Sequence, residues 1–230
     1  MMEILKQVAG VDRFCGHTIY LRGLMSGCVT VIDGGGNIGS FAGAINKRFD
    51  ARIYSFEPDS SFHGKLSVQT TRIIPKAITA RSGETTFYQS SNGEAGNLLG
   101  PVECVSVFTC NTVALEQFVK FEGIRHIDLL KLDIEGSEIE VLLSLPDCVL
   151  QITDQISVEY HEQRHPEHAI HIAAIDRRLI KVGFRRYRFS YPQLSDVLYL
   201  NRRLGAPHYR MCCASAVGVL ARSIRKTILE

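Results

Sequence analysis

Val29-Thr30-Val31-Ile32-Asp33-Gly34-Gly35-Gly36-Asn37-Ile38-Gly39 is the stretch on which the reading of this chain turns. β-Branched residues run into a carboxylate, glycines follow, and an apolar-periodic segment extends from Ile38 to Phe49. The apolar run is too short for a helix and reads as a buried parallel strand. The glycines let the backbone take positive φ and let a ligand approach the main chain. The helix beyond them turns its unpaired N–H groups toward whatever lies above the turn. Strand, glycine turn and helix thus frame a ligand pocket.

Working outward, Arg52-Ile53-Tyr54-Ser55-Phe56 reads as a second strand, stopped by Glu57-Pro58. Asp59 or Ser60 can cap a helix through about Val68, and a third strand is expected from Arg72 to Ile78. This βαβαβ order predicts a doubly wound parallel sheet. Thr85 to Gln89 and Val102 to Cys110 read as strands around a polar loop, Ser90 to Pro101, and are expected to extend the sheet at one end. Further on, helices are expected over Thr112 to Phe121, Ser137 to Leu145 and Pro166 to Val182, with strands over Ile127 to Asp133 and Gln151 to Tyr160. Phe184 to Phe189 and Asp196 to Asn201 end the pattern as an antiparallel pair after a parallel core, which favours a seven-stranded sheet over a six-stranded dinucleotide fold. Residues 29–203 are read as one α/β domain. Residues 1–28 are a weakly patterned leader, with a short helix near Met2 to Val8 and an irregular segment to Cys28, that could act as a lid or cover a sheet edge. Residues 204–230 are a basic extension packed on the same domain.

The 230 residues carry 26 basic against 24 acidic groups, a balance that argues against a nucleic-acid partner. No apolar run of about 18 residues exists, so no membrane span is expected. Glu3 and Lys6 interrupt the N-terminus, which lacks a signal-peptide pattern. The 7 cysteines show no CxxC spacing and read as free thiols in a reducing cytoplasm, with Cys212 and Cys213 as a buried pair.

The glycine turn matches G-x-G-x-x-G, and Glu57 ends the next strand, where a carboxylate can accept from a ribose 2′- and 3′-hydroxyl pair. A nicotinamide dinucleotide and S-adenosylmethionine both fit that pairing. Asp33 chooses between them: beside the turn it would repel a pyrophosphate and favour a cationic guest. The second signal is Leu129-Leu130-Lys131-Leu132-Asp133-Ile134-Glu135-Gly136-Ser137-Glu138. Alternation puts Lys131, Asp133 and Glu135 on one side of an extended strand, at the switch point where such sheets bind ligands.

Together, Ile32 to Gly39, Phe56-Glu57-Pro58 and Leu130 to Glu138 resemble the FkbM family of S-adenosylmethionine-dependent methyltransferases, over about Thr30 to Asn201. The resemblance implies an α/β class I methyltransferase (Rossmann-like) fold, with a mostly parallel seven-stranded sheet, helices on both faces and an antiparallel terminal strand. It implies O-methylation of a small-molecule or saccharide hydroxyl. Asp33, Gly34, Gly35, Gly36, Asn37, Ile38 and Gly39 would hold the methionine part of the cofactor, Glu57 with Pro58 the ribose, and Lys76, Ala77 and Ile78 the adenine. Asp133 and Glu135 would line the methyl-transfer pocket. The family often has Ala where Gly35 stands, a small swap that should not remove binding.

His161-Glu162-Gln163-Arg164-His165 matches the zinc-protease H-E-x-x-H string, but Pro166 directly after it disfavours the helix that motif requires. Instead, Glu159 and His161 leave the fifth strand beside Asp133. These three are the catalytic candidates, with His161 as general base for a substrate hydroxyl. A divalent metal on Asp133, Glu159 and His161 is the lesser reading, and no metal is assigned. Arg185, Arg186, Arg188, Arg202, Arg203 and Arg210, interleaved with Tyr187, Tyr191 and Tyr199, read as solvated arginines, with selection of an anionic substrate as the alternative. Competing functions are an NAD(P)-dependent oxidoreductase and a silent S-adenosylmethionine-binding module. A homodimer is left open.

Overall fold

The computed structural model describes residues 9–25, 27–64, 71–90, 96–98, 100, 104–161, 168–191 and 193–229. Strand β3 (Val29–Gly34) lies inside the main sheet, flanked in parallel by β4 (Ala51–Phe56) and β10 (Leu129–Leu132). With β5 (Thr71–Ile74), β11 (Gln155–Val158), β12 (Phe184–Arg188) and β13 (Val197–Asn201), they form a seven-stranded sheet ordered β12-β13-β11-β10-β3-β4-β5. Only β13 runs against its neighbours, pairing antiparallel with both β11 and β12.

Strand alternation splits the core into two faces. Val29, Val31 and Leu129 pack with Phe41, Ala42 and Ile45 of α1 (Ser40–Asn46). Ile32, Leu130 and Leu132 pack on the other face with residues of α2 (Leu115–Phe121), α3 (Glu138–Ser144), α4 (Asp147–Gln151) and α5 (His168–Val182). The last helix, α6 (His208–Leu229), buries Met211 and Ala214 against Tyr187, Phe189, Leu198 and Leu200. No helix among the described residues is long and apolar enough to cross a membrane.

Several local expectations change. The leader is not irregular: β1 (Val11–Phe14) and β2 (His17–Tyr20) form an antiparallel hairpin. It is bolted to the sheet where Asp196 accepts from the Thr18 N–H at 2.8 Å and the Thr18 hydroxyl at 2.7 Å. The helix expected near Met2 to Val8 lies outside the described residues. Pro75 has no N–H to donate and splits the third strand, so β6 (Ala77–Thr79) leaves the main sheet. β6 joins β7 (Gly83–Ser90), β8 (Gly96–Asn97) and β9 (Cys104–Ala114) in a separate four-stranded sheet rather than an extension of the first. β-Branched Thr112 and Val113 stay in β9, so the next helix starts at Leu115. The fifth strand, expected from Gln151 to Tyr160, is the shorter β11, and Gln151 belongs instead to the helix α4. The helix expected after Asp59 is a 3₁₀ turn at Ser60–Phe62, and its expected remainder from 65 lies outside the described residues. Cys212 is exposed and Cys213 half-buried, so they are not a buried pair.

Candidate active site

The floor of the site is a buried ion pair set by strand register. Parallel pairing puts Lys131 beside Asp33. The Lys131 Nζ stands 3.1 Å from Asp33 Oδ1, with the side chains 3% and 0% exposed. Ser55 donates its hydroxyl to Asp33 Oδ2 at 2.9 Å, and Lys131 donates to the Gly35 carbonyl at 2.8 Å. Burial alone would lower the Lys131 pKa, but Asp33 and then Asp133 overrule it and hold the ammonium above its usual range.

Above this floor lies the glycine turn. Gly35 has φ +85°, and a Cβ there would sit 1.9 Å from the Asp133 carbonyl oxygen. Asn37 and Glu135 also take positive φ, at 46° and 56°, a conformation rare outside glycine. The Asn37 N–H donates to Glu57 Oε2 at 2.7 Å and the Asp59 N–H to Oε1 at 2.9 Å. Those bonds aim the carboxylate and leave each oxygen a lone pair. Burial pushes the Glu57 carboxyl up to about 6, with the two N–H groups pulling partly back. From Glu57 the cleft runs between an apolar wall of Phe62, Ala77, Ile78, Phe87 and Leu98 and the polar edge of Gly35, Asn37, Asp133 and Glu135. A second arm, lined by Cys15, Gly36, Ile38, Ser40, Phe41 and Lys131, opens beside Asp133.

At the carboxyl ends of β10 and β11, acids and imidazoles converge. His161 donates through Nδ1 to Glu138 Oε1 at 3.0 Å, and its Nε2 lies 3.3 Å from Glu135 Oε2 and 3.9 Å from Asp133 Oδ1. Burial would lower the His161 pKa, but the bond to Glu138 and the charges of Glu138, Glu135 and Asp133 raise it to about 9. Asp133 behaves oppositely: burial raises its carboxyl, and Lys131, then His17 and His161, pull it well below the usual carboxylate range. Glu159 is pushed up by burial and then by Asp133.

The structure brings the three catalytic candidates together: Asp133 clusters with Glu159 and with His161. At neutral pH, however, a histidine titrating near 9 is already protonated and is not the expected general base. Among the cofactor candidates, Gly35, Gly36, Asn37, Ile38, Glu57, Pro58, Ala77, Asp133 and Glu135 line the two arms. Asp33 and Gly34 lie buried behind them, Gly39 caps α1 with φ 81°, and Lys76 is exposed outside the lining. An Ala at position 35 would not fit this backbone, because the Asp133 carbonyl occupies the space a Cβ needs. His161 lies on an irregular stretch rather than a helix, and the rest of the H-E-x-x-H string falls outside the described residues. Several arginines are bonded internally: Arg203 to Asp154 at 2.6 Å, Arg188 to the Ser190 carbonyl at 2.7 Å, and Arg186 to Asp176. His17 was missed altogether. It reaches the cluster from β2, bonded through Nδ1 to Ser157 Oγ at 3.0 Å. The Cys15-Gly16 pair could have marked a hairpin turn, but nothing in the sequence shows that His17 reaches the site.

A seven-stranded sheet in this order, one antiparallel strand, a glycine turn after β3 and an acid ending β4 define a class I methyltransferase fold. The family model described as Methyltransferase FkbM domain matches residues 33–189, and the chain belongs to that family. The family assignment displaces the oxidoreductase alternative. The AMB antimetabolite synthetase AmbE of Pseudomonas aeruginosa is 28% identical over 198 residues, covering 67% of this chain and 9% of that protein. The hexuronic acid methyltransferase AglP of Haloferax volcanii is 27% identical over 141 residues, covering 59% of this chain and 57% of that protein. The chain therefore spans under two thirds of both relatives. A crystal structure of an rRNA methylase from Streptococcus thermophilus superposes with a TM-score of 0.45 at 11% identity, over 79% of this chain and 91% of that one.

Proposed function

We propose that the chain transfers a methyl group from S-adenosylmethionine to a hydroxyl oxygen of a small molecule or saccharide. One observation carries the reading: the carboxylates of Asp133, Glu135 and Glu159 converge at the strand ends, next to the cleft that Glu57 closes. The residues present suit this cofactor. Glu57 keeps lone pairs for two ribose hydroxyls, and Phe62, Ile78, Phe87 and Leu98 offer an apolar wall to a flat base. Bound there, the cofactor supplies an electrophilic methyl on a sulfonium sulfur, and the C–S electron pair departs with the neutral thioether.

The chain's share is alignment, the larger part of the barrier in a bimolecular displacement. Asp33 acts from behind, fixing Lys131, which in turn holds the Gly35 carbonyl. Asp133 and Glu159 accept hydrogen bonds from the acceptor hydroxyl and direct its oxygen at the methyl. Of these two, Glu159 has the raised carboxyl and is the better proton acceptor, while the His161 imidazolium orders Glu135 and Glu138. The name of the AglP relative favours a saccharide acid as acceptor, and the internally bonded arginines give no support for nucleic acid.

The test is incubation of the protein with methyl-labelled S-adenosylmethionine and a panel of uronic acids and neutral saccharides. Label in an acid-stable ether product is expected. A protein stabilised by S-adenosylhomocysteine that labels no acceptor would favour the silent-module reading.

A further inference from the structure

We propose that the chain holds a divalent cation between His17, Asp133 and Glu159, at the acceptor end of the site. The inference rests on the methyl-transfer reading and narrows its acceptors to molecules that present two adjacent oxygens to the ion.

The His17 side chain is 1% exposed, and its Nε2 has no hydrogen-bond partner among the described residues. That nitrogen faces Asp133 Oδ2 at 3.5 Å, longer than an ordinary N–H···O hydrogen bond. The spacing suits a shared ion: with metal–ligand bonds of about 2.1 Å, neighbouring ligand atoms stand roughly 3.0–3.4 Å apart. The donor atoms of His17, Asp133 and Glu159 all lie within 4.8 Å of one another. Ser157 fixes the ring through Nδ1, the support that a metal-bound imidazole ordinarily has. The hairpin behind it is held by the buried Thr18–Asp196 bonds, so His17 is positioned before any ligand arrives.

Charge points the same way. Asp133, Glu135 and Glu159 share this end of the site, and the Lys131 ammonium, 3.7 Å from Asp133 Oδ2, is already balanced by Asp33. One imidazole nitrogen and two carboxylates form a mixed N/O set suited to Mn²⁺, Fe²⁺ or Zn²⁺. An acceptor hydroxyl on such an ion loses its proton more readily. With Asp133 and Glu159 engaged by the ion, coordination replaces their hydrogen bonds to the hydroxyl: the O–H bond breaks with its pair kept on oxygen and its proton passed to water. That oxygen then bonds the methyl carbon as the C–S pair moves to sulfur.

Titration with MnCl₂, followed by the paramagnetic resonance of free Mn²⁺, tests the site without turnover. One Mn²⁺ per chain is expected, with His17→Gln and Glu159→Gln each raising the Kd at least tenfold. His126→Gln alters a separate cluster, His126, Asp128 and Asp154, which shares no residue with the proposed site, and is expected to leave the Kd unchanged. Glu159→Gln, at a half-buried position, keeps the test decisive if His17→Gln does not fold. Absence of saturable binding, a Kd indifferent to Glu159→Gln, or loss of binding in His126→Gln would overturn the proposal. Calorimetry with S-adenosylhomocysteine on the same preparations separates the two readings: binding of that ligand without Mn²⁺ binding overturns the ion alone.

Discussion

Lys131 Nζ lies 3.1 Å from Asp33 Oδ1 inside the sheet, so the carboxylate that precedes the glycine turn is neutralised before any ligand reaches it. The repulsion of phosphate expected from Asp33 therefore falls to Asp133, Glu135 and Glu57, which do line the cleft. Lys131→Met leaves a buried anion without its partner and is expected to cost about 3–5 kcal/mol, because the desolvation of Asp33 is then uncompensated. Adding Asp33→Asn should restore part of that loss. Urea denaturation checks both, and a loss under about 1 kcal/mol in the single variant would show the pair to be dispensable.

Gly35→Ala meets a backbone oxygen at 1.9 Å and a φ of +85° together. Gly123→Ala meets φ +64° with nothing within 4 Å, so it isolates the conformational part, about 1 kcal/mol. Gly35→Ala is expected to lose distinctly more stability than Gly123→Ala, and to weaken S-adenosylhomocysteine binding more than tenfold by displacing Asp133. Equal effects in calorimetry and melting would place the clash elsewhere.

Glu57 titrates at about 6 in the folded chain against 4.5 as its ordinary value. The folded state thus holds this proton more tightly, so its contribution to stability falls as pH rises from 4.5 to 6. The total is roughly 2 kcal/mol, at about 1.4 kcal/mol per unit. Neighbouring Asp59 and His63 act on it with opposite signs. Wild-type stability measured relative to Glu57→Gln should therefore decline across that window and then level off. Affinity for S-adenosylhomocysteine should run the other way, rising through about pH 6 as the carboxylate becomes a full acceptor. A flat affinity profile would remove Glu57 from ribose binding.

Thr18→Val deletes the hydroxyl that donates to buried Asp196 at 2.7 Å. Bonds to charged acceptors contribute about 1.5–3 kcal/mol, and that loss is expected here. Amide exchange in β1 and β2 should accelerate first, since this bond ties the hairpin to the sheet. Unchanged protection there would mean that the remaining bonds, from the Thr18 N–H to Asp196 and from the Tyr20 N–H to Gln155, hold the hairpin without the hydroxyl.

The sheet was legible because its strands carry their own signals. Val29 to Ile32 is a β-branched run and Leu129 to Leu132 is apolar apart from Lys131, each runs into an aspartate with glycine soon after, and Glu57-Pro58 punctuates the next strand. The acids of the site followed from strand ends and parallel register. His17 stayed hidden because β1 and β2 are four residues each and not strongly periodic, so only tertiary contact with Ser157 and Asp133 reveals its place. The protonation of His161 was equally invisible, since it depends on Glu138, whose burial at 0% is a property of α3 packing. Pro75 was visible, yet its consequence, a second sheet, depended on where β9 would find a partner.

The most direct measurement is a crystal structure of the protein with S-adenosylhomocysteine. The expected result is a ribose whose hydroxyls reach Glu57, an adenine against Ile78 and Phe87, and a sulfur directed toward Asp133. A ligand seated away from Glu57, or a cleft that instead takes up NAD, would contradict the assignment of this cleft to the methyl donor.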